Sequence, residues 1–337
     1  MKKIPILTDL GERRILREII PKYACGVGDD CAVVDWSGGR LVITTDPVPP
    51  PAATVLGGDP DLYWTGWLLV TINASDIAAS GAKPQAFVAA LDLPSDLPTA
   101  HLERLLTGIR DACAAHNLDY VGGNLREAPK LAAVGTAIGS CDTPPITRSG
   151  AKPGDLAVVI GLGGRFWADA LRLELGISVN RSASPVFAPV AQVAAMQRLH
   201  AAGLIECAMD TSDGLAPSLY EIAAVNRLSI DIDLALIRSS SSSSDVPERP
   251  ERLWMGWGDW TVLAAVDPNN MTRVTELTGG ASTVIGTFAA GNRGVTLHDA
   301  GRSTALGRLE SERFATDSWF VTGIQGYLRL LRELPLP

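Results

Sequence analysis

Apolar residues recur along the chain with two periods, and the longer period predicts helices. Residues 11–20 carry leucine and isoleucine at intervals of three and four, as one face of an amphipathic helix does. Residues 64–81 are apolar almost throughout and rich in small side chains, which is typical of a buried helix. The helical segments predicted in this way are 11–20, 64–81, 99–117, 164–176, 187–203 and a helix that follows the loop ending at residue 214.

Short runs rich in β-branched residues predict strands between these helices. Two of them are CAVVDW and RLVITTD, joined by the turn SGG, and the second ends in Asp46. Further strands are predicted at LAAVGTAIGS, at VVIG and at SIDIDLALI, which alternates as a strand does. The pattern restarts near Gly150, so we predict an α/β fold of two mixed domains, 1–149 and 150–337, with no sequence repeat.

Two stretches interrupt the alternation of helix and strand. The segment from Ser239 to Arg252, SSSSSSDVPERPER, is of low complexity and predicts a mobile loop, since an ordered apolar pattern resumes at LWMGWGDWTVLAAV. The glycines of GLGG at 161–164 could cradle a phosphate at the start of a helix. We prefer a strand-to-helix connection, because glycine clusters serve that purpose more often.

Composition narrows the classes of function. The chain has 337 residues, 46% hydrophobic and 20% charged, which is enough for the cores of two domains. A net charge of -8 and a pI near 5.1 argue against nucleic acid as the partner. No apolar run approaches the roughly 20 residues of a membrane span, and the N-terminus lacks a signal peptide's apolar region. We therefore expect a cytoplasmic protein that acts on a small molecule, without nucleic acid or membrane as a partner.

Cysteine, histidine and tryptophan supply no motif. The cysteines are odd in number and never arranged as CxxC, so we expect buried, inert thiols at Cys25, Cys31, Cys113, Cys141 and Cys207. The histidines are dispersed, and exposed or incidental positions are expected for His101, His116, His200 and His298. Some tryptophans could stack on a ring of the small molecule, but core packing is expected for most of Trp64, Trp67, Trp254, Trp257, Trp260 and Trp319.

The candidate chemistry lies in aspartates at strand ends, in loops before helices and inside an apolar helix. They are Asp30, Asp46, Asp76, Asp210 and Asp213. Each has a structural explanation when taken alone, such as a helix cap at Asp213 or a turn at Asp46. Several converging carboxylates, however, would repel one another unless cations lie among them. Mg²⁺ prefers oxygen ligands and usually keeps substrate phosphates in its coordination shell.

This pattern suits phosphoryl transfer, which needs cations and positioning more than a side-chain nucleophile. The sequence contains no GxxxxGK[ST] loop, so metal ions must hold most of the phosphate charge. Arg148 could add a bidentate clamp, or it could be a surface arginine in a turn. No general base can be named from the sequence, and an acceptor that is already an anion needs none.

Six motifs, in this order and spacing, resemble the ATP-binding thiamine-monophosphate kinases: GVGDDCAVVD, VITTD, INASDIAASGAKP, YVGGN, TRSGAKPGD and MDTSDGL. Those kinases share a superfamily with aminoimidazole ribonucleotide synthetase, selenophosphate synthetase and a hydrogenase maturation factor. The resemblance spans nearly the whole chain. It implies an N-terminal domain that pairs with its twin in a homodimer to build a β-barrel, and a C-terminal sheet covered by helices.

The resemblance also implies ligands and roles. ATP and Mg²⁺ are the expected cofactors, with a small-molecule phosphoryl acceptor and no catalytic residue beyond the metal cluster. The implied metal ligands are Asp30, Thr45, Asp46, Asp76, Asp210 and Asp213. The residues implied to contact the nucleotide and its phosphates are Gly122, Gly123, Arg148 and Ser212. Asp29 receives no role.

The departures from the family lie mainly on the acceptor side. Asn124 stands where the family has an acid, which could lower the number of bound Mg²⁺ ions. Ala53 takes the place of a histidine and Gly258 that of a glutamate, both of which contact thiamine phosphate in the family. We therefore expect an acceptor other than thiamine monophosphate, or a looser specificity.

Three hypotheses follow from these residues. The first, which we favour, is an ATP- and Mg²⁺-dependent kinase of a small molecule. The second is a synthetase that activates an amide or carbonyl oxygen as a phosphate and then admits a nitrogen nucleophile. The third is a catalytically silent nucleotide-binding protein, against which the five retained aspartates speak.

Overall fold

The computed structural model describes residues 14–23, 29–241, 245–291, 293–307, 309 and 319–337. Within these residues the chain forms two mixed β-sheets with helices packed on them. The predicted α/β class is therefore confirmed. The predicted division after residue 149 falls in the segment between the two sheets and stays a prediction.

The first sheet has five strands in the order β1-β2-β5-β3-β4. Its strands are β1 (Ala32–Trp36), β2 (Gly39–Pro47), β3 (Lys83–Leu93), β4 (Asp119–Glu127) and β5 (Ala132–Cys141). All neighbours are antiparallel except β3 and β4, which run parallel. The parallel pair requires a crossover, and a helix between the two strands provides it.

Three helices accompany this sheet: α1 (Ala52–Val55), α2 (Leu62–Ala79) and α3 (Thr99–Ala115). The carboxylate of Asp61 caps the start of α2 by accepting a hydrogen bond from the Tyr63 amide at 2.9 Å. Gly81, with a φ of 68°, turns the chain just beyond its end. The predicted buried helix at 64–81 and the predicted surface helix at 99–117 are confirmed.

The second sheet has seven strands in the order β12-β11-β8-β10-β6-β9-β7. They are β6 (Leu156–Ile160), β7 (Cys207–Asp210), β8 (Leu228–Asp233), β9 (Val262–Val266), β10 (Ser282–Ala290), β11 (Val295–Asp299) and β12 (Arg302–Ala305). Among the described strands of this sheet, β8 and β11 pair in parallel and the other neighbours are antiparallel. The glycines at 161–164 connect β6 to the next helix, as preferred from the sequence.

The helices of the second half are α4 (Arg165–Glu174), α5 (Val193–Ala201), α6 (Leu215–Asn226), α7 (Leu234–Ser240), α8 (Pro250–Met255), α9 (Met271–Leu277) and α10 (Trp319–Glu333). The last one is interrupted at Gly323. A 3₁₀ turn, Pro268–Asn270, leads into α9.

Strands β6, β9 and β7 of the second sheet are buried on both faces. Along β6, Val158 and Ile160 belong to the core that contains α2, whereas Ala157 and Val159 belong to the core on the opposite face. This assignment follows from the period of two in a strand. In β7 the same alternation turns Ala208 and Asp210 toward α2. Helix α2 thus packs between the two sheets and carries first-half residues to the second sheet.

Three predictions of secondary structure are corrected. The segment SIDIDLALI is a strand only to Asp233, whose carboxylate accepts a hydrogen bond from the Ala235 amide at 2.9 Å and so starts α7. The helix predicted at 187–203 is shorter, Val193–Ala201, and Pro189 disfavours helical backbone at Ala188. The described part of 11–20 forms a π-helical turn, Ile15–Ile19, without buried residues. A 3₁₀ turn that contains Pro21 follows it.

The serine-rich segment is also more ordered than a loop. Its first two serines end α7, and Pro250–Met255 forms α8. Glu251, within the predicted loop, is only 1% exposed. Residues 242–244 lie outside the described residues.

Two expectations about single residue types are settled by burial. The thiols of Cys31, Cys113, Cys141 and Cys207 are free and buried, as predicted, and Cys25 lies outside the described residues. His116 is not incidental, because it is only 1% exposed and both its ring nitrogens have partners. Among the described helices, none combines the length and the apolar composition that crossing a membrane requires.

Candidate metal and nucleotide site

Three separate segments bring carboxylates to one point. Asp30 precedes β1, Asp76 lies in the last turn of α2, and Asp210 ends β7. One oxygen from each lies within 4.8 Å of the others. We call these three residues the acidic cluster.

Hydroxyl groups fix the orientation of Asp210, which is 2% exposed. Ser75 on α2 donates to Oδ2 at 2.7 Å, and Ser212 donates to Oδ1 at 2.8 Å. Both oxygens of this buried carboxylate therefore accept hydrogen bonds from uncharged hydroxyl groups. These hydrogen bonds do not neutralise the negative charge of the carboxylate. Helix α2 contributes both Asp76 and the Ser75 hydroxyl that holds Asp210.

Asp76 is held on its other side by β2. Thr44 donates a hydrogen bond to Asp76 Oδ2 at 2.6 Å. Burial raises the pKa of Asp76 well above its usual value, and the charges of Asp210, Asp46 and Asp30 raise it further. The Thr44 hydrogen bond opposes this shift without reversing it. The site thus carries more negative charge than its own groups compensate.

Strand alternation separates Thr44 from Thr45. Val42, Thr44 and Asp46 face α2, whereas Thr45 lies on the more exposed face of the sheet. The Thr45 hydroxyl donates to the Gly135 carbonyl at 2.9 Å and lies 3.0 Å from the Thr136 hydroxyl. The structure therefore brings the hydroxyl of Thr44, and not that of Thr45, to the acidic cluster.

Arg148 is the cation closest to Asp30. Its Nη2 lies 2.5 Å from Asp30 Oδ1, and its amide donates to Asp29 Oδ1 at 2.8 Å. Burial raises the pKa of Asp30 to about 7 against the opposing charge of Arg148. Asp30 therefore faces the other two carboxylates of the acidic cluster. Asp29 instead links the turn before β1 to the segment before β6 through the Arg148 amide.

The donor set fits a hard divalent cation. All three groups of the acidic cluster offer carboxylate oxygens, the ligands that Mg²⁺ prefers. The raised pKa values of Asp30 and Asp76 show that their charges are costly without a further cation, since Arg148 contributes only one positive charge. Arg148, 21% exposed along its side chain, adds a guanidinium at the same point.

The other residues predicted to bind metal or nucleotide lie at increasing distances from the acidic cluster. Asp46 is close enough for its charge to act on Asp76. Asp213 is exposed and outside the acidic cluster, and its charge adds to the effect of burial in raising the pKa of Tyr327. The ladder puts Asp46, Gly135, Ala89 and Gly123 in one row across four strands, so Gly123 and its neighbour Gly122 lie about 14 Å from Asp46.

The acceptor-side departures have structural consequences. Ala53 is fully buried in the core of the second half. Gly258 has a φ of 106°, and a side chain there would collide with the ring of Phe166. Asn124 is exposed on the edge strand β4. A histidine at 53 would therefore require the core around it to repack, and a glutamate at 258 would require the Phe166 ring to move.

Sequence reasoning missed Thr44 and Ser75, which orient the acidic cluster. The alternation of side chains along β2 could have identified Thr44, because Thr44 lies on the same face of the strand as Asp46 and Thr45 does not. Ser75 precedes Asp76 within an apolar helix. Nothing in its local pattern indicates which residue of the second half it contacts.

Comparison with known families agrees with this architecture. Residues 28–141 match the AIR synthase related protein N-terminal domain, and residues 152–299 match the corresponding C-terminal domain. The chain therefore belongs to the AIR synthase related family. Both sheets and the acidic cluster between them lie within the matched residues, except for the edge strand β12 of the second sheet.

Curated relatives narrow the class. The thiamine-monophosphate kinase of Halobacterium salinarum is 32% identical over 309 residues, which cover 91% of this chain and 99% of the relative. That of Methanospirillum hungatei is 31% identical over 276 residues, 78% of this chain and 88% of the relative. The chain is accordingly a thiamine-monophosphate kinase-like, ATP-dependent phosphotransferase, as the motifs predicted.

Solved structures share the fold. The AaThiL complex with AMPPCP and TMP superposes with a TM-score of 0.72 at 21% identity, covering 90% of this chain and 99% of that one. The hydrogenase maturation protein HypE of E. coli gives a TM-score of 0.63 at 21% identity, covering 82% and 89%. At such identities the likeness shows the fold alone.

Proposed function

We propose that this protein binds ATP together with Mg²⁺ at the acidic cluster and transfers the terminal phosphoryl group to a small heterocyclic acceptor. The observation that carries the proposal is the meeting of Asp30, Asp76 and Asp210 within 4.8 Å in a chain of this family. Their raised pKa values and all-oxygen chemistry support a divalent cation rather than a structural ion-pair cluster.

The residues have separable roles in this proposal. Asp30, Asp76 and Asp210 hold the cation, with Asp46 and Asp213 as further acidic groups near the phosphates. The cation supplies charge neutralisation for the transferring phosphoryl group. Ser75, Thr44 and Ser212 keep the carboxylates in place, and Arg148 offers its guanidinium to a phosphate oxygen. Gly122 and Gly123 leave β4 without side chains where the nucleoside end would approach.

The acceptor is the least constrained part of the proposal. The curated relatives are named for thiamine monophosphate, so this compound is the first acceptor to test. Ala53 and Gly258 replace two polar groups that the family directs at it, which supports a looser specificity or another heterocyclic phosphate. The predicted cytoplasmic location remains an expectation.

The first sheet also supports a homodimer. Exposed apolar residues lie on its two edge strands, with Val121 62% and Leu125 61% exposed on β4, and Val33 42% and Val34 47% exposed on β1. Exposed edges of this kind invite pairing with another chain. We propose that the first sheet pairs with that of a second copy to close the predicted barrel. Sedimentation of wild type and of Val121→Lys tests this, and a monomeric wild type would reject it.

The kinase is tested by following the label of γ-³²P-ATP. Purified protein with Mg²⁺ is offered thiamine monophosphate and a panel of free and phosphorylated heterocyclic alcohols. We expect label on the acceptor and none when Mg²⁺ is removed by a chelator. Free inorganic phosphate that appears only with a nitrogen nucleophile would support the synthetase instead. Nucleotide binding without turnover across the panel would support the silent protein.

A further inference from the structure

The backbone conformation of one residue is unexpected for its side chain. Five non-glycine residues have a positive φ in the described part of the chain: Asn117, Arg227, Trp260, Arg293 and Ala300. Four of them follow a helix or lie in a turn between strands, where positive φ is common. Trp260, with a φ of 52°, is bulky and leads directly into the buried strand β9.

Both neighbours of Trp260 are fixed by hydrogen bonds. Asp259 accepts from the Gly164 amide at 2.6 Å and from the Phe166 amide at 2.7 Å. Thr261 accepts from the Thr211 amide at 3.0 Å, and the two threonine hydroxyls lie 2.8 Å apart. The surrounding structure therefore determines the unfavourable conformation of Trp260, a situation that concentrates at functional sites.

The ladder between β7 and β9 locates this residue beside the acidic cluster. Asp210 pairs with Val262, and Thr211 bonds to Thr261. Trp260 directly precedes Thr261 and is two residues along the chain from Val262, the partner of Asp210. The indole is partly exposed, and within the described residues it packs on no other aromatic ring, unlike nearby Trp257.

We infer that Trp260 is the platform on which the flat heteroaromatic ring of the phosphoryl acceptor stacks. The inference rests on the proposed function and names a specificity residue for it. The nucleoside end is assigned to Gly122 and Gly123 on the first sheet, and the phosphates to the acidic cluster. A phosphate chain that runs from β4 to the cluster leaves the acceptor on the side of the second sheet, where Trp260 lies.

The test uses Trp260→Gly, because glycine adopts a φ of 52° without strain. Calorimetric titration with thiamine monophosphate, in the presence of AMPPCP and Mg²⁺, measures acceptor binding directly. We expect about a tenfold loss of acceptor affinity and an unchanged affinity for AMPPCP. The thermal midpoint should stay level or rise. Trp260→Phe should retain most acceptor binding, because it keeps a ring.

Arg227→Gly is the matched control. Arg227 has a φ of 57° at the end of α6, so this change relieves a similar backbone conformation away from the acceptor. We expect a level or raised thermal midpoint and unchanged affinity for both ligands. A shift of acceptor affinity equal to that of Trp260→Gly would mean that backbone relief, and not loss of the ring, is responsible.

The outcomes separate the two proposals. Unchanged acceptor affinity in folded Trp260→Gly overturns the inference, and so does a loss confined to AMPPCP, which would assign the ring to the nucleotide. Wild type that binds thiamine monophosphate without transferring phosphate refutes the proposed function while leaving the binding comparison decisive. Wild type that binds no heteroaromatic phosphate of the panel overturns the inference as well.

Discussion

Two groups of charged residues in this molecule contain buried carboxylates, but they differ in how those charges are balanced. The acidic cluster has three carboxylates and one arginine within contact. The other group, which we call the balanced cluster, consists of Arg238, Arg249, Glu251 and Asp299. Arg238 lies 2.6 Å from Glu251 and 2.7 Å from Asp299, and Arg249 lies 3.2 Å and 3.4 Å from the same two acids.

The pKa values show the difference. Burial acts to raise the pKa of Glu251, but hydrogen bonds from its own backbone and from both arginines bring that pKa below its usual value. Burial raises the pKa of Asp76, and neighbouring carboxylates raise it further. Buried acids are therefore not equivalent. In the balanced cluster two arginines match the charges of two acids, whereas the acidic cluster has three carboxylates and one arginine, which leaves room for the proposed cation.

The largest expected effect comes from Asp76→Asn. Loss of one cation ligand should abolish Mg²⁺-dependent binding of AMPPCP and lower turnover roughly a thousandfold. Without nucleotide and metal, the variant should unfold at a higher temperature than wild type, because one of three mutually repelling carboxylates is gone. Titration calorimetry and scanning calorimetry measure the two effects.

The matched control is Asp96→Asn, which changes an exposed aspartate in the loop before α3. It should leave binding and unfolding unaltered. Wild-type turnover in Asp76→Asn would show that the acidic cluster is not the cation site.

A third buried titratable group, His116, avoids the cost of burial by staying neutral. Its Nδ1 lies 2.8 Å from the Ala112 carbonyl, and its Nε2 accepts from the Ala191 amide at 3.0 Å. Burial lowers its pKa from 6.5 to about 4. The unfolded chain thus binds more protons than the folded one between these values, so stability falls as the pH drops from 6.5 toward 4.

We expect this residue to account for up to about 3 kcal/mol of the change in unfolding free energy over that interval. Urea unfolding of wild type and His116→Gln at several pH values measures the contribution as a difference. The difference in unfolding free energy between the two proteins should shrink on acidification. A pH-independent difference would show that His116 does not titrate as described.

A smaller effect is expected when the balanced cluster is disturbed. Glu251→Gln leaves Arg238 and Arg249 without their buried acid and should lower the unfolding free energy by about 2 kcal/mol. Because this cluster lies outside the proposed metal site, kcat and the KM for Mg·ATP should not change. A changed KM with an unaltered unfolding free energy would show that the balanced cluster acts in nucleotide binding and not in stability.

The smallest effect concerns the hydroxyl that orients Asp210. Ser75→Ala should raise the KM for Mg·ATP severalfold and cost about 1 kcal/mol of stability, since Asp210 Oδ2 loses a donor at 2.7 Å. Thr107→Ala is a suitable control, because the Thr107 hydroxyl bonds only to the Glu103 carbonyl on its own exposed helix in the described structure. Equal effects of both changes on KM would exclude a specific role for Ser75.

Much of the fold was predictable because the local sequence pattern identifies many of its helices and strands. Helix α2 is apolar on all sides, and α3 has a clear helical period, so both were found close to their observed limits. The start of α7 was missed although Asp233 is a good N-cap residue, because the apolar period of the preceding strand continues into the helix. In α8 the buried Glu251 contacts Arg238, which lies 13 residues earlier on α7, and no local pattern reveals that contact.

Some residues of the site could also be predicted from local sequence, and others could not. Asp76 could be singled out because a carboxylate in an apolar helix requires a partner, and Asp210 because it lies in a predicted loop before a helix. Sequence alone could not tell that Arg148 contacts Asp30, or that Asp213 is outside the group of three, because both facts depend on how the two sheets are joined. His116 was misjudged for the same reason, since its partner Ala191 is 75 residues away.

Helix α2 lies between two sheets, and so most of its circumference is enclosed by protein. A gene library that randomises Leu62–Ala79 should consequently yield far fewer active variants than one that randomises Thr99–Ala115. The second helix has a solvent-exposed face, where substitutions are tolerated. Evolution of new acceptor preferences would then be expected to proceed through the loops around this rod, while the rod itself stays nearly unchanged.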